Sequence, residues 1–432
     1  MNTYRKGALV LGDIISFILG FFAFGTIIYG FSGISKALDL HALPFTLLVI
    51  IWIGIFFIFN FYELRNSKPN AVFLRNMGIA SIIMLAVGFI YFYINPQTRI
   101  TPKLNLIIFE YLSLVLVLGF RRIFYLATMN SFHTRFAIVC SEEKFHSLVS
   151  EITENPQLGF QNKGIYTSLT DFVAENPTID LLIIHKTSEH ETELLEKILA
   201  SNIEVIDLPA AYETILYKIP VDFIDNQWIV RSITKGSDIF YRALSRVISI
   251  LFAIIVGIIT LPISLLIMIA IKLEDGGPIL YKNDRIGKHG NVFFLYKFRS
   301  MILDAEKNGA QWASVVDNRV TKVGAITRKL HIDEIPQMIN LLQGDLDLVG
   351  PRPERPEFVA QLERDIPYYF MRHTITPGFT GWAQIKFRYA RTVMDSREKF
   401  EYDLYYIKNR NLFLDFGIIM KTAQIVFTHA GR

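Results

Sequence analysis

Four long apolar runs fill the first third of the chain, at roughly 8–31, 44–62, 76–94 and 104–120. In hydrocarbon every backbone N–H and C=O must find a partner inside the protein, so such runs fold as helices rather than as open strands or loops. Each approaches or exceeds the ~18–20 residues that a helix needs to cross a bilayer. Hydrophobic residues make up 51% of the 432 and charged residues only 19%, which argues against a wholly soluble chain. The first run follows Arg5 and Lys6, as in a signal peptide. It is longer than the ~7–15 apolar residues of a cleaved one, so it is expected to be retained.

Basic residues cluster on alternate sides of these runs. Arg5 and Lys6 precede the first, Arg65, Lys68 and Arg75 lie between the second and third, and Arg121 and Arg122 follow the fourth. The other two loops carry Lys36 in one and Arg99 with Lys103 in the other. This asymmetry places both ends of a four-helix unit in the cytoplasm. Asp13 and Glu110 fall in or near the runs, where snorkelling or pairing helices is favoured over a relay. A net charge of +4 suits anionic lipid and phosphorylated substrates but makes no case for nucleic acid. Cys140 is the one cysteine, so neither an internal disulfide nor a cysteine zinc cluster is available.

Residues 134–225 change character. "RFAIVC", "IDLLIIH" and "IEVIDL" are short strand-like runs, separated by helical patterns such as "EEKFHSLVSEIT" and "HETELLEKILAS". Alternating strands and helices predict a parallel sheet, a Rossmann-like α/β domain. A dinucleotide site needs glycines after its first strand, and "IVCSEEKF" has none. The expectation is a regulatory or oligomerisation role, with the domain dispensable for chemistry. A fifth apolar run, Val247–Leu273, holds Gly257 and Pro262. It is long enough to span, and its proline can kink it so that it enters and leaves by one face. Periodicity leaves the two readings open.

Beyond it the chain is polar and rich in motifs. In "YKFRSM", Lys297 and Arg299 flank Phe298 and share one face if the segment is a strand, as a pyrophosphate ligand pair would. In "HIDEIPQMINLLQGDLDLVGPRP", Ile332, Ile335, Met338, Ile339 and Leu342 recur at helical spacing. Pro336 is tolerated only in a helix's first turn, so Asp333 and Glu334 sit at or just before the N-terminus. There the dipole favours negative charge, which should keep Asp333 ionised. One acid suffices for a cap; two adjacent acids project about 100° apart and can serve a phosphorus atom and a metal ion separately. Mg²⁺ commonly takes one or two carboxylates with substrate phosphates. Gly344 suits the helix end, and Pro351 and Pro353 stiffen Arg352, a good bidentate phosphate ligand. Asp345 and Asp347 form a D-x-D, a pattern common by chance.

"YKFRSM", "DAE", "DEIPQMINLLQGDLDLVGPRP", "PGFTGWAQI" and "YDLYYIKNRNLFLDFGIIMKT" follow in order between residues 296 and 422. Together they resemble the bacterial sugar transferase family, the polyprenyl-phosphate hexose-1-phosphate transferases, over about 245–432. The whole chain resembles the family's long form. The resemblance implies a cytoplasmic catalytic domain on a re-entrant helix. It makes Asp333 the nucleophile and Glu334 a ligand of Mg²⁺. The substrate-binding set would be Lys297, Arg299, Arg352, Arg372 and Gln384. The implied reaction moves a sugar 1-phosphate from a UDP-sugar to undecaprenyl phosphate and releases UMP. That is the first membrane step of exopolysaccharide, capsule or O-antigen synthesis. By analogy alone, long-form chains suggest a homodimer. A metal-dependent glycosyltransferase using Asp345 and Asp347 would instead release UDP, and a non-enzymatic scaffold leaves the five motifs unexplained.

The resemblance has departures. The helix break is Leu261-Pro262 where the family usually has Ser-Pro, and Ser249, after Arg246, stands where an Asp is often found. Fewer polar contacts are therefore expected to secure the bend. After "AQ" comes "IKFRYA", with Lys386 and Phe387 at a place that bears on the sugar accepted. The expected architecture is a membrane α-helical bundle of four transmembrane helices (1–125) and a Rossmann-like α/β domain (126–235). A re-entrant membrane helix (236–275) then carries a mainly α (α+β) catalytic domain (276–432). The expected place is the bacterial cytoplasmic (inner) membrane.

Overall fold

A computed structural model describes residues 2–59, 61–62, 70–94, 102–130, 134–140, 145–155, 158–185, 192–201, 203–226, 229, 239–303, 305, 319–387 and 392–427. Asp304 and Glu306 of the "DAE" motif lie outside these residues, as do Arg65, Lys68 and Arg99. The protein is mostly helical, with apolar helices towards the N-terminus and a parallel sheet after them. It divides into two compact units, Met1–Ala211 and Tyr212–Arg432.

The first unit opens with α1 (Asn2–Tyr29), α2 (Ile34–Ile58), α3 (Ala71–Ile94) and α4 (Pro102–Asn130). All four are long and apolar enough to cross a membrane. Their polar residues pair helices, as expected for intramembrane charge. Asp13 of α1 accepts two hydrogen bonds from Arg121 of α4, which also donates to Phe61 O. Ser81 of α3 donates to Glu110 of α4 at 2.7 Å. The sheet contains β1 (Thr134–Val139), β2 (Phe160–Tyr166), β3 (Leu181–Ile184) and β4 (Glu204–Asp207), all parallel, in the order β2-β1-β3-β4. Helices α5 (His146–Glu154), α6 (Leu169–Glu175) and α7 (Thr192–Leu199) connect successive strands. The division between the units falls within α8 (Leu208–Leu216).

The second unit begins earlier than residue 236. Ile219, Val221 and Ile224 are buried with Val359, Leu362, Tyr369, Phe400 and Leu404. Polar contacts fix this strap as well. Ile219 N donates to Glu401 O, Lys218 pairs with Glu398 and Glu401, and Trp382 Nε1 donates to Tyr217 O. The 37-residue α9 (Ile239–Asp275) follows, continuous through Pro262. Then come the antiparallel hairpin β5 (Leu280–Ile286) and β6 (Val292–Phe298), α10 (Lys322–Lys329), α11 (Gln337–Gln343), β7 (Asp347–Val349) and α12 (Pro356–Asp365). The unit ends with β8 (Gly378–Thr380), parallel to β7, and α13 (Trp382–Lys386), α14 (Val393–Asn409) and α15 (Leu412–Phe427).

Both ends of α9 are held by this same unit. Near its start Tyr241 donates to Asp415, Arg246 donates to Leu341 O and Leu342 O, and Leu348 N donates to Ser249 Oγ at 2.9 Å. Ser249 thus secures the base of the helix by a polar contact to β7. Near its end Ile267 and Ile271 pack on Phe298, Glu274 accepts from Lys322 N and Val323 N, and Asp275 pairs with Arg299. Between these anchors Ile255, Ile258, Ile259, Leu261 and Leu266 are exposed.

Removing the strap gives up the burial of its three aliphatic residues, Ile219, Val221 and Ile224, each worth roughly 1.5–3 kcal/mol. In detergent, a chain beginning at residue 236 should melt roughly 10 °C or more below one beginning at Leu208, at about 2–4 °C per kcal/mol for a unit of this size. Equal melting would show that the strap contributes nothing to stability.

Candidate active site

Asp333 and Glu334 lie in a short 3-10 turn, Ile332–Glu334, between α10 and α11. His331 enters the turn in the left-handed region (φ 55°), an uncommon conformation for a residue with a Cβ. Thr321 caps α10 by accepting from Gly324 N, and Pro336 stands at the N-cap of α11. The acids thus stand just before the helix, as the place of Pro336 implies, but in a 3-10 turn that breaks the helical spacing of the apolar stripe from Ile332. The 3-10 turn advances about 120° per residue instead of 100°, and this shifts the buried face. Met338 and Leu341 enter the core, whereas Ile339 and Leu342 of the expected stripe are exposed. Gly344 closes α11 with φ 94°, as its position after the last turn requires.

Asn340 sets the register of this segment. Its buried amide accepts from Tyr296 N and donates to Phe294 O, completing the free edge of β6 as a neighbouring strand would. The next residue on β6 is Lys297, whose ammonium reaches Glu334 Oε1 at 2.7 Å. Arg352 reaches the same oxygen at 2.6 Å from the loop after β7. That loop passes close to β8, where a Cβ on Gly378 would stand 2.1 Å from Gly350 N.

The two carboxylates differ electrically. Burial alone would raise Glu334, but Arg352 and Lys297 outweigh it and hold Glu334 below the usual carboxylate range. Asp333 is 8% exposed, and burial pushes its pKa up; Lys297 opposes the rise and the Glu334 charge adds to it. The net effect is a rise from the ordinary aspartate value, with burial as its largest cause. Arg328 and His331 pull in the ionising direction more weakly. Arg328 also has a buried Nη1 without a hydrogen-bond partner among the described residues. Sequence reasoning missed Arg328 and Asn340. The signal for Arg328 was a basic last helical turn five residues before Asp333; for Asn340 it was one amide inside an apolar run.

The structure thus gathers Asp333, Glu334, Lys297 and Arg352, and sets the remaining candidates elsewhere. Arg299 pairs with Asp275 at the end of α9, and its Nε and Nη1 are buried without a hydrogen-bond partner among the described residues. Arg372 donates to Arg352 O, Asp403 and Tyr369. Gln384 lies in α13 beside Gly381, its Oε1 buried and without a hydrogen-bond partner among the described residues. Lys386 stands over the rings of Trp382 and Tyr217, at 4.5 and 5.4 Å from their centroids. The D-x-D residues diverge, with Asp345 accepting from Asn340 and Asp347 lying 4.0 Å from Arg246. Among the described residues no group of three or more His, Cys, Asp or Glu could cage a metal. Two adjacent carboxylates fit an Mg²⁺ that takes its other ligands from water and substrate phosphate.

The sequence profile of the family described as bacterial sugar transferase matches residues 240–429. A UDP-N-acetylgalactosamine-undecaprenyl-phosphate N-acetylgalactosaminephosphotransferase of Aeromonas hydrophila is 40% identical over 231 residues, 54% of each chain. The uncharacterized sugar transferase EpsL of Bacillus subtilis is 38% identical over 192 residues, 44% of this chain and 89% of that one. A UDP-glucose:undecaprenyl-phosphate glucose-1-phosphate transferase of Klebsiella pneumoniae is 29% identical over 297 residues, 64% of each. The match thus spans about half the length of the Aeromonas relative. The chain belongs to the bacterial sugar transferase family, a family of transferase enzymes.

A raised Asp333 loses its charge as pH falls through a value above the ordinary ~3.9 of aspartate. The acid limb of the transferase pH–rate profile should therefore lie above that value. Arg328→Gln removes a charge that favours ionisation and should move the limb to higher pH. A limb unmoved by that substitution would separate Arg328 from Asp333.

Proposed function

We propose that the protein transfers a sugar 1-phosphate from a UDP-sugar to undecaprenyl phosphate, with release of UMP and a covalent intermediate on Asp333. The observation that carries this reading is the pairing of a buried carboxylate with a neighbour held between two cations. The printed names of the Aeromonas and Klebsiella relatives support the same acceptor and the same kind of donor.

A carboxylate oxygen of Asp333 attacks the β-phosphorus of the donor, and the bond from that phosphorus to the bridging oxygen breaks. The electron pair leaves with UMP, and the sugar phosphate remains on Asp333 as an acyl phosphate. A phosphate oxygen of the lipid then attacks the same phosphorus. This frees the Asp333 carboxylate and leaves the sugar joined to the lipid through a pyrophosphate. Two such displacements replace one harder step. Lys297, Arg352 and Arg328 neutralise charge on the donor phosphates, and their fixed placement means little reorganisation at the moment of reaction. Glu334 would hold Mg²⁺, which supplies further positive charge at the phosphates.

The acceptor lies in a membrane, and α9 accounts for how the site reaches it. Exposed apolar side chains run along α9 from Val247 to Leu273, and the helix is anchored on the second unit both near Ser249 and near Ile271. Both flanks rest on one unit, so we read α9 as re-entrant. Four spanning helices, a Rossmann-like domain and a catalytic unit facing the cytoplasm of the inner membrane complete this reading. Reporter fusions at residue 35 and at the C-terminus should then report opposite sides; matching signals would mean that α9 crosses.

Asp333→Asn keeps the side-chain shape and should abolish transfer while leaving the fold and much of donor binding. Glu334→Gln should be severely impaired. Without lipid, wild type should release a burst of UMP from labelled UDP-sugar and retain sugar phosphate on Asp333. Release of UDP, or near-normal turnover by Asp333→Asn, would overturn the double displacement.

A further inference from the structure

Four consecutive carbonyls of the loop that carries Arg352 are each held by a separate donor. Pro351 O accepts from Gly378 N, Arg352 O from Arg372 Nη2, Pro353 O from Arg285 Nη1 and Glu354 O from Ile286 N, all at 2.9 Å. Two of these donors are backbone and come with β5 and β8. The other two are arginine side chains, and charge-assisted donors of this kind make the stronger bonds.

Arg372 is the more deeply placed of the two. It is 4% exposed, and both its terminal nitrogens are committed inside the protein. Nη1 donates to the Tyr369 hydroxyl, and Nη2 donates to Asp403 Oδ2 at 3.0 Å as well as to Arg352 O. Its charge is shared further with Glu354, 4.0 Å away. Burial would raise Glu354, but Lys399, Arg372 and Arg285 bring it down to about 2, so this carboxylate stays ionised. Lys399 and Asp403 both come from α14, which braces the loop from behind. The Arg352 side chain by contrast is 31% exposed and points to Glu334.

We propose that Arg372 is a positioning residue that acts on the reaction through Arg352, with Arg285 as its counterpart one residue along the loop. Arg372 holds the Arg352 backbone, and the Arg352 side chain meets the donor phosphates. The inference rests on the reading of Arg352 as a donor-phosphate ligand. It gives Arg372 a task other than the direct substrate contact expected from the family resemblance. A flat fork is needed to serve Tyr369, Asp403 and Arg352 O together. Lysine keeps the charge but has no such fork. A displacement of about 1 Å at a phosphate ligand can cost up to 10²-fold in rate.

A double-mutant cycle tests this, with kcat and KM for a UDP-sugar measured on the full chain in nanodiscs. Arg372→Lys alone should lower kcat/KM by about 10-fold, with a raised KM for the donor. Arg352→Ala should lower it by about 100-fold. Adding Arg372→Lys to Arg352→Ala should cost less than about 2-fold more, because the residue to be positioned is already gone. Should Arg372→Lys fail to fold, Arg285→Lys takes its place in the cycle, with the same non-additivity expected. Full additivity would overturn the proposal, since Arg372 would then act independently of Arg352. Unchanged kinetics in Arg352→Ala would instead overturn the donor-phosphate reading itself.

Discussion

One carboxylate oxygen, Glu334 Oε1, organises the second unit. It accepts from Lys297 and from Arg352, which reach it from a hairpin and from a proline-bounded loop. A shared acceptor between two cations is favourable only if each approaches along its own fixed line, because like charges otherwise separate. The fold supplies those lines through the main chain. The Asn340 amide completes the edge of β6, and four carbonyl bonds hold the Arg352 loop. With Arg328 included, three cations face two carboxylates, so the cluster as a whole attracts an anion. A pyrophosphate donor is the kind of ligand that such an excess favours.

Asp333 occupies a different environment one residue away. Burial raises it where the two cations lower Glu334. Adjacent carboxylates thereby acquire opposite character from their surroundings alone. One is a permanent charge fit to bind cations, and the other is a more basic, less solvated oxygen suited to attack. The 3-10 turn separates them, since its tighter winding points successive side chains about 120° apart.

Where local pattern decides structure, the sequence could be read directly. The apolar runs became α1 to α4, three β-branched runs became β1, β3 and β4, and Gly344 closed α11. Strand β2 was missed because it is an edge strand of mixed exposure, without a continuous apolar run. Asp333, Glu334, Lys297 and Arg352 came together because the motifs name residue types whose chemistry is specific. Arg372 was read as a ligand from the family resemblance and Arg299 from its strand spacing, and neither says which partner a guanidinium meets first. Asp403 for one and Asp275 for the other lie 31 and 24 positions away. The strap escaped notice for the same reason. Nothing in "YKIPVDFI" announces that its partners lie on α14.

The strap has a consequence for how the protein is made. Lys218 and Glu398 are separated by 180 positions, and Val221 lies equally far from Glu401. At roughly 5–20 residues per second, the ribosome delivers α14 about 9–36 s after the strap. Through that interval Ile219, Val221 and Ile224 have no core to enter, and the apolar α9 is synthesised meanwhile. Contacts so distant in sequence make the second unit a late-closing structure. The Arg352 loop, braced by α14, becomes rigid only after α14 has been made.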